Sequence, residues 1–259
     1  FSISSIIPCL VLMLFQGFFY PHILLIEMTI LSLRLLVFKN NLSIKLTANR
    51  QYYIWWILGL IVTAIAIYPL TQKPPELSTV MSAQQMQQMP EFNPGGRTPV
   101  FGGGIFKLLF HGNSGLALPI FPTIVWISIG LPWVLKTKLP AVNLITDKVA
   151  ILGQVTLASL IMFTLSSILL PTLHLPSRFT YHSLRHVLAI STGIILTVLL
   201  ESGKNWLKSK KEFKFAEKIK IALVTIFALS IIVVPAIPHI FTDWFQNWKV
   251  GTATELYQY

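Results

Sequence analysis

The sequence predicts an all-α fold, a polytopic transmembrane helical bundle of about seven spans with one long outer loop. Three observations carry that expectation. Hydrophobic residues make up 54% of the 259 residues and charged residues only 11%, where an average soluble domain has roughly a quarter charged. The apolar residues collect into runs long enough to cross the hydrocarbon core, which takes about 20 residues of helix. The charges lie in short clusters between those runs, with 20 Lys and Arg against 9 Asp and Glu, a net charge of +11. In a soluble protein that excess would point to nucleic acid. Between apolar runs it sets orientation instead, so no nucleic-acid partner is expected.

Taken in order, the expected spans are 2–18, 21–38, 53–70, 116–135, 149–170, 184–201 and 221–238. The first two are separated by Gly17-Phe-Phe-Tyr-Pro-His22, where Pro21 lacks the backbone donor that a continuous helix needs. Residues 2–38 therefore read as a tight hairpin, with one long tilted helix as the alternative. The first run has no basic n-region and no small-residue cleavage site, so it does not read as a signal peptide. Cys9 is the single cysteine, which leaves no intrachain disulfide and no cysteine metal cluster. The start at Phe1, directly into an apolar run, and the amphipathic end at Glu255–Tyr259 read as those of a fragment. On that reading residues 1–238 are the transmembrane domain and 239–259 the truncated start of an outer soluble domain.

Alternation of seven spans sorts the loops into two sets. Fourteen of the 20 basic residues fall in or beside 39–52, 136–148 and 202–220, including the run from Lys204 to Lys220. The other six, Lys73, Arg97, Lys107, Arg178, Arg185 and Lys249, are spread over 71–115, 171–186 and the tail. The first set is accordingly cytoplasmic. Tyr52, Tyr53, Trp55 and Trp56 mark one interface, and Trp244 and Trp248 the other. All six histidines (His22, His111, His174, His182, His186 and His239) then lie on the outer side, where chemistry is expected.

The outer loop 71–115 opens with polar segments and closes with the apolar stretch from Phe101 to Phe110, too short to span. That stretch reads as lying in the interface or re-entering slightly. Its glycines precede no Gly-Lys-Ser/Thr, so no phosphate-cradling nucleotide loop, and no cofactor, is expected. Residues 202–220 read as a basic helix on the anionic inner leaflet, with a partner-docking helix as the alternative.

The segment Leu173-His-Leu-Pro-Ser-Arg-Phe-Thr-Tyr-His-Ser-Leu-Arg-His186 concentrates the polar chemistry. If it is helical from 182, His182 and His186 share a face at i, i+4, and Arg178 reaches that face one turn earlier. Ser177 or Thr180 would cap the helix. Arg178, Arg185, His182, His186, Ser177 and Tyr181 are therefore the expected ligands of a lipid phosphate, with plain interfacial anchoring as the competing reading. The histidine pair lacks the intervening Glu of a zinc helix and a third ligand, so no metal site is assigned. Glu27 is the one carboxylate well inside an expected span. Its expected partner is His22 or Arg34, and a structural pair is favoured over a proton relay.

Four motifs carry a resemblance: Phe15-Gln-Gly-Phe-Phe-Tyr-Pro21, Pro90-Glu-Phe-Asn-Pro-Gly-Gly-Arg97, Leu173–Arg178 with His182–Arg185, and Val250-Gly-Thr-Ala-Thr-Glu-Leu-Tyr257. Together they resemble a cyanobacterial family of polytopic membrane proteins, longer than this chain and mostly without an assigned function. The architecture is similar to that of GT-C-type membrane glycosyltransferases. The resemblance implies a plasma- or thylakoid-membrane protein, part of a transferase using polyprenyl-phosphate-linked sugar at the outer face. It also implies a catalytic acid in an outer loop that would precede Phe1, so whether this chain is itself an enzyme stays open. The alternatives are a transporter, for which Pro119, Pro122 and Pro132 in one span are the only pointer, and a non-enzymatic scaffold.

The topology is directly testable. Cysteines placed in 71–115 and 171–183 should react with an impermeant maleimide from outside, and those in 202–220 only after permeabilisation. Outside labelling of 202–220 would reverse the orientation.

Overall fold

The break at Tyr20 divides the first apolar run into two helices, α1 (Ile3–Phe19) and α2 (Pro21–Arg34). Tyr20 leaves helical geometry with φ −140° and ψ 70°, and Pro21 starts α2, where its missing N–H would have no helical partner anyway. The hairpin reading of 2–38 therefore holds over the single tilted helix. The computed structural model describes residues 3–38, 44–72, 82–94, 100–111, 114–117, 123–137, 139–143, 145–169 and 175–209, with 222, 225, 226 and 229. Of the described residues 82% are helical, so the fold is mostly α.

Among the described residues, three helices are long and apolar enough to cross a membrane: Arg50–Pro69, Lys148–Ile168 and Ser177–Gly203. The described residues support a helical protein with three such helices and do not support seven spans; the expected 221–238 lies almost wholly outside them. Two of the three lie within α3 (Arg50–Thr71) and α8 (Thr146–Ile168), close to the expected 53–70 and 149–170. Asn49 caps α3 by accepting from Gln51 N at 3.0 Å. The third lies in α9 (Ser177–Ser209), which starts seven residues before the expected 184 and makes most of the expected outer loop 171–183 helical.

The expected span 21–38 is helical only to Arg34. Fourteen residues give about 21 Å of helix, short of the ~30 Å hydrocarbon core. Leu36–Phe38 forms a strand, β1, antiparallel to β2 (Ile44–Leu46), with Val37 opposite Lys45. An apolar run continues past the helix without any local sign that its last residues will pair with a strand.

The expected span 116–135 is not one α-helix either. Thr123–Gly130 is a 3₁₀ helix, followed by the short α6 (Leu131–Val134). Pro132 in the first turn of α6 supplies no amide to the turn before it. The segment 71–115, expected as an outer loop, contains α4 (Ala83–Gln88), a 3₁₀ turn Pro90–Phe92, and α5 (Gly104–His111). A reciprocal Ser82–Gln85 capping box starts α4. One further short helix, α7 (Pro140–Asn143), precedes α8. The basic helix expected over 202–220 is partly accounted for by α9, which continues to Ser209. The rest of that segment, the tail 239–259, and all of 221–238 except four isolated residues lie outside the described residues.

Contacts divide the chain into two units, Phe1–Leu118 with Asp147–Val187, and Pro119–Thr146 with Leu188–Tyr259. In the first, α2 is packed on two sides. Leu24 and Met28 join Met13 of α1 and Ala66 of α3 in one buried cluster. Ile26 joins Leu108 of α5, Ala158, Met162 and Phe163 of α8, and Phe179 of α9 in another. Small residues permit the approach. A Cβ on Gly17 would lie 2.6 Å from Ala66 Cβ and 2.7 Å from Leu24 Cδ2, and one on Gly59 would lie 2.8 Å from Met28 Sδ. In the second unit, Val125, Leu131, Val142, Ile195 and Val198 are buried, and Thr192 Oγ1 donates to the Val125 carbonyl at 3.2 Å.

Alongside the apolar clusters, the helices bury small and hydroxyl residues and turn many large apolar side chains outward. Helix α8 buries Ala158, Ser159 and Ser166 while Leu157, Leu165 and Ile168 are exposed. Helix α9 buries Ser191 and Thr192 and exposes Ile190 and Leu199. In α3, Ile54, Ile57, Leu60, Ile61 and Ile65 face outward. Exposing a large apolar side chain to water forgoes roughly 1.5–3 kcal/mol, whereas lipid removes that penalty and leaves small residues and hydroxyls to mediate helix contact.

Gly17 tests this packing. Gly17→Val should destabilise the detergent-solubilised protein by about 1–3 kcal/mol through overpacking. Gly193→Ala, with no atom within 4 Å of the new Cβ, should leave thermal stability unchanged or slightly raised. Equal melting of the Gly17 variant and the parent would contradict the close contact.

Candidate functional site

Pro176 directly precedes α9, and the amides of Arg178 and Phe179 donate to the carbonyls of Leu175 and Pro176 at 3.0 and 3.1 Å. The expected side-chain cap is corrected here. Ser177 is the first helical residue and is buried, and Thr180 is engaged elsewhere. Thr180 Oγ1 accepts from Ser114 Oγ at 3.0 Å and donates to the Ser177 carbonyl at 3.3 Å.

The early start of the helix brings five of the expected residues into one stripe. Arg178, His182 and Arg185 fall at i, i+4 and i+7, and all three are exposed. The Arg185 guanidinium carbon stands 4.1 Å over the Tyr181 ring, a cation–π contact that fixes the arginine without neutralising it. The Tyr181 and His182 rings meet edge to face at 4.8 Å. His186 Nδ1 is 2.6 Å from the His182 carbonyl. A carbonyl only accepts, so Nδ1 carries the proton in this contact. Ser177, the sixth expected ligand, lies beneath the stripe instead of in it.

The opposite face of α9 is firmly held. Phe179 and Thr180 are fully buried, and Leu184 nearly so. Ser159 of α8 donates to Ser183 Oγ at 2.8 Å, and Ser183 donates to the Phe179 carbonyl at 2.7 Å. The His22 and Phe179 rings meet edge to face at 6.3 Å. Gly115 packs against the carbonyls of Thr180 and Tyr181, where a Cβ would collide. Sequence reasoning missed Ser114, Gly115 and Ser159 as positioning residues. The small, polar run Ser114-Gly115 is the only local hint of a close approach.

Glu27 sits apart from this stripe. Its Oε2 is buried without a hydrogen-bond partner. The expected pair with Arg34 is corrected, because Arg34 Nε donates to Gln154 Oε1 at 3.1 Å. Among the described residues no three His, Cys, Asp or Glu side chains gather as a metal would require. His174 and His239 lie outside the described residues.

An exposed stripe of two arginines and two histidines, backed by an aromatic ring and fixed from behind, can receive a tetrahedral phosphate oxyanion. Arginine offers planar paired donors, and the histidines offer further N–H groups. No protein-family model, curated protein or solved structure matches this chain. The resemblance read from the motifs gains no support from those comparisons, and the functional argument rests on the stripe.

Proposed function

We propose that the chain is the membrane-embedded part of a multi-pass protein whose α9 stripe holds the phosphate of a lipid at headgroup level. The observation that carries this reading is the position of the stripe at one end of a helix longer than the bilayer needs. The apolar stretch Ser177–Gly203 has 27 residues, about 40 Å of helix against a ~30 Å hydrocarbon core. Some seven residues must overhang. Arginine is costly at bilayer depth, so the overhang is assigned to the 177–183 end, with Arg185 and His186 within one turn of the hydrocarbon edge, and this supports a stripe at headgroup level.

The orientation with 202–220 in the cytoplasm makes this the outer leaflet. A polyprenyl-phosphate-linked sugar is then the ligand class that accords with the transferase resemblance. In that reading the stripe binds and orients the donor, and a carboxylate elsewhere in the parent protein does the acid–base work. The transporter reading draws on a different observation, the eight-residue 3₁₀ run Thr123–Gly130. Such broken helices line substrate paths in transporters.

The test is ligand binding by the full chain in nanodiscs. A charge-assisted hydrogen bond contributes roughly 1.5–3 kcal/mol, about 10- to 150-fold in affinity. Arg178→Ala with Arg185→Ala should weaken polyprenyl-phosphate binding by at least the lower figure while the spans remain inserted. Arg→Lys should restore it only in part, and phosphatidylglycerol should compete poorly. A double variant that binds as well as the parent would reduce the stripe to an interfacial anchor.

A further inference from the structure

Helix α5 presents two unlike faces. Leu108 and Leu109 pack into the cluster that also holds Phe179 at the start of α9. On the other side Phe106 is 78% exposed and Phe110 37%. Phe106 and Phe110 are one helical turn apart, as are Lys107 and His111, so an apolar edge and a cationic edge run side by side. These four residues line a shallow open cavity of about 340 Å³. Lys107 is held across the mouth by a long contact from Nζ to the Gly102 carbonyl, 3.5 Å. An isolated phenylalanine exposed to this degree is common enough, but two beside a lysine and a histidine complement a ligand with an anionic head and an apolar tail.

The chain also fixes the level of α5 relative to α9. Helix α5 ends at His111, and Ser114 bonds Thr180 in the first turn of α9 at 3.0 Å. Three residues reach at most about 11 Å, so the C-terminal end of α5 lies within that distance of Ser114, and Leu108 of α5 shares a buried cluster with Phe179 in the first turn of α9. Taken with the headgroup-level reading of the stripe, on which this step rests, α5 is in the same layer.

We propose that α5 is a second, separate lipid contact, an interfacial helix that inserts Phe106 and Phe110 among the acyl chains of an anionic leaflet. Lys107 and His111 meet the headgroup phosphate. The ligand class is an anionic phospholipid of the surrounding bilayer, distinct from the lipid-linked substrate proposed for α9. The contact holds α5 flat on the membrane beside the stripe, and Ser114 and Gly115 tie the two together.

Photocrosslinking tests it. A benzoylphenylalanine replacing Phe106 in the full chain, in nanodiscs of mixed phosphatidylglycerol and phosphatidylcholine, should give phospholipid adducts enriched in phosphatidylglycerol. The same probe at the buried Leu108 should give crosslinks within the protein. Lys107→Gln should lower the phosphatidylglycerol enrichment about fivefold, the worth of one cation at an anionic surface. Arg178→Ala with Arg185→Ala should leave the adducts unchanged, which separates this contact from the stripe. Absence of lipid adducts at position 106, or equal yields with both headgroups, would overturn the proposal whatever the stripe binds.

Discussion

Helix α2 is the element on which the rest of the first unit depends, because it is packed on two sides at once. With 14 residues it is too short to cross the hydrocarbon, yet it contributes Leu24 and Met28 to one buried cluster and Ile26 to the other. The first cluster fixes α1 and α3 and relies on Gly17 and Gly59 for closeness. The second reaches α5, α8 and Phe179 at the start of α9. His22 touches Phe179 directly. The hairpin near the N-terminus and the cationic stripe are thus parts of one packed body.

Apolar packing alone would not define that body in lipid, where hydrocarbon surrounds every helix equally. Specificity comes from small residues and from hydroxyls that bond across helix contacts. Ser159 with Ser183, Ser114 with Thr180, and Trp56 Nε1 with Ser32 Oγ at 2.9 Å join segments far apart in sequence. Two of the three pairs hold the first two turns of α9. In the proposed reading the stripe presents two arginines to a phosphate and needs a rigid backing, and these bonds lie on the opposite face of α9.

Much of this was legible from residue pattern. The apolar runs of α3 and α8 have bilayer length and few charges, and the hairpin at Gly17–His22 announces itself through Pro21. The stripe was legible too, because i, i+4 and i+7 spacing is a local property of helix. What escaped depends on contacts between distant residues. Arg34 pairs with Gln154, 120 residues away, instead of the nearby Glu27. Ser114 meets Thr180 across 66 residues. The β1–β2 pairing and the 3₁₀ run at Thr123–Gly130 interrupt apolar stretches whose composition fits a continuous helix equally well. The start of α9 at Ser177 was missed because polar residues there read as a loop, when they are the first turns of a long helix that, in the proposed reading, stand clear of hydrocarbon.

That last point is the central claim, and membrane depth measures it most directly. Spin labels on single cysteines at positions 178, 182, 186 and 193, in a Cys9→Ser background in nanodiscs, report depth through relaxation by oxygen and by a water-soluble nickel chelate. The labels at 178 and 182 should sit at headgroup level and the label at 193 well inside the hydrocarbon, with 186 between. A label at 182 as deep as that at 193, or nickel access equal at all four positions, would contradict the account.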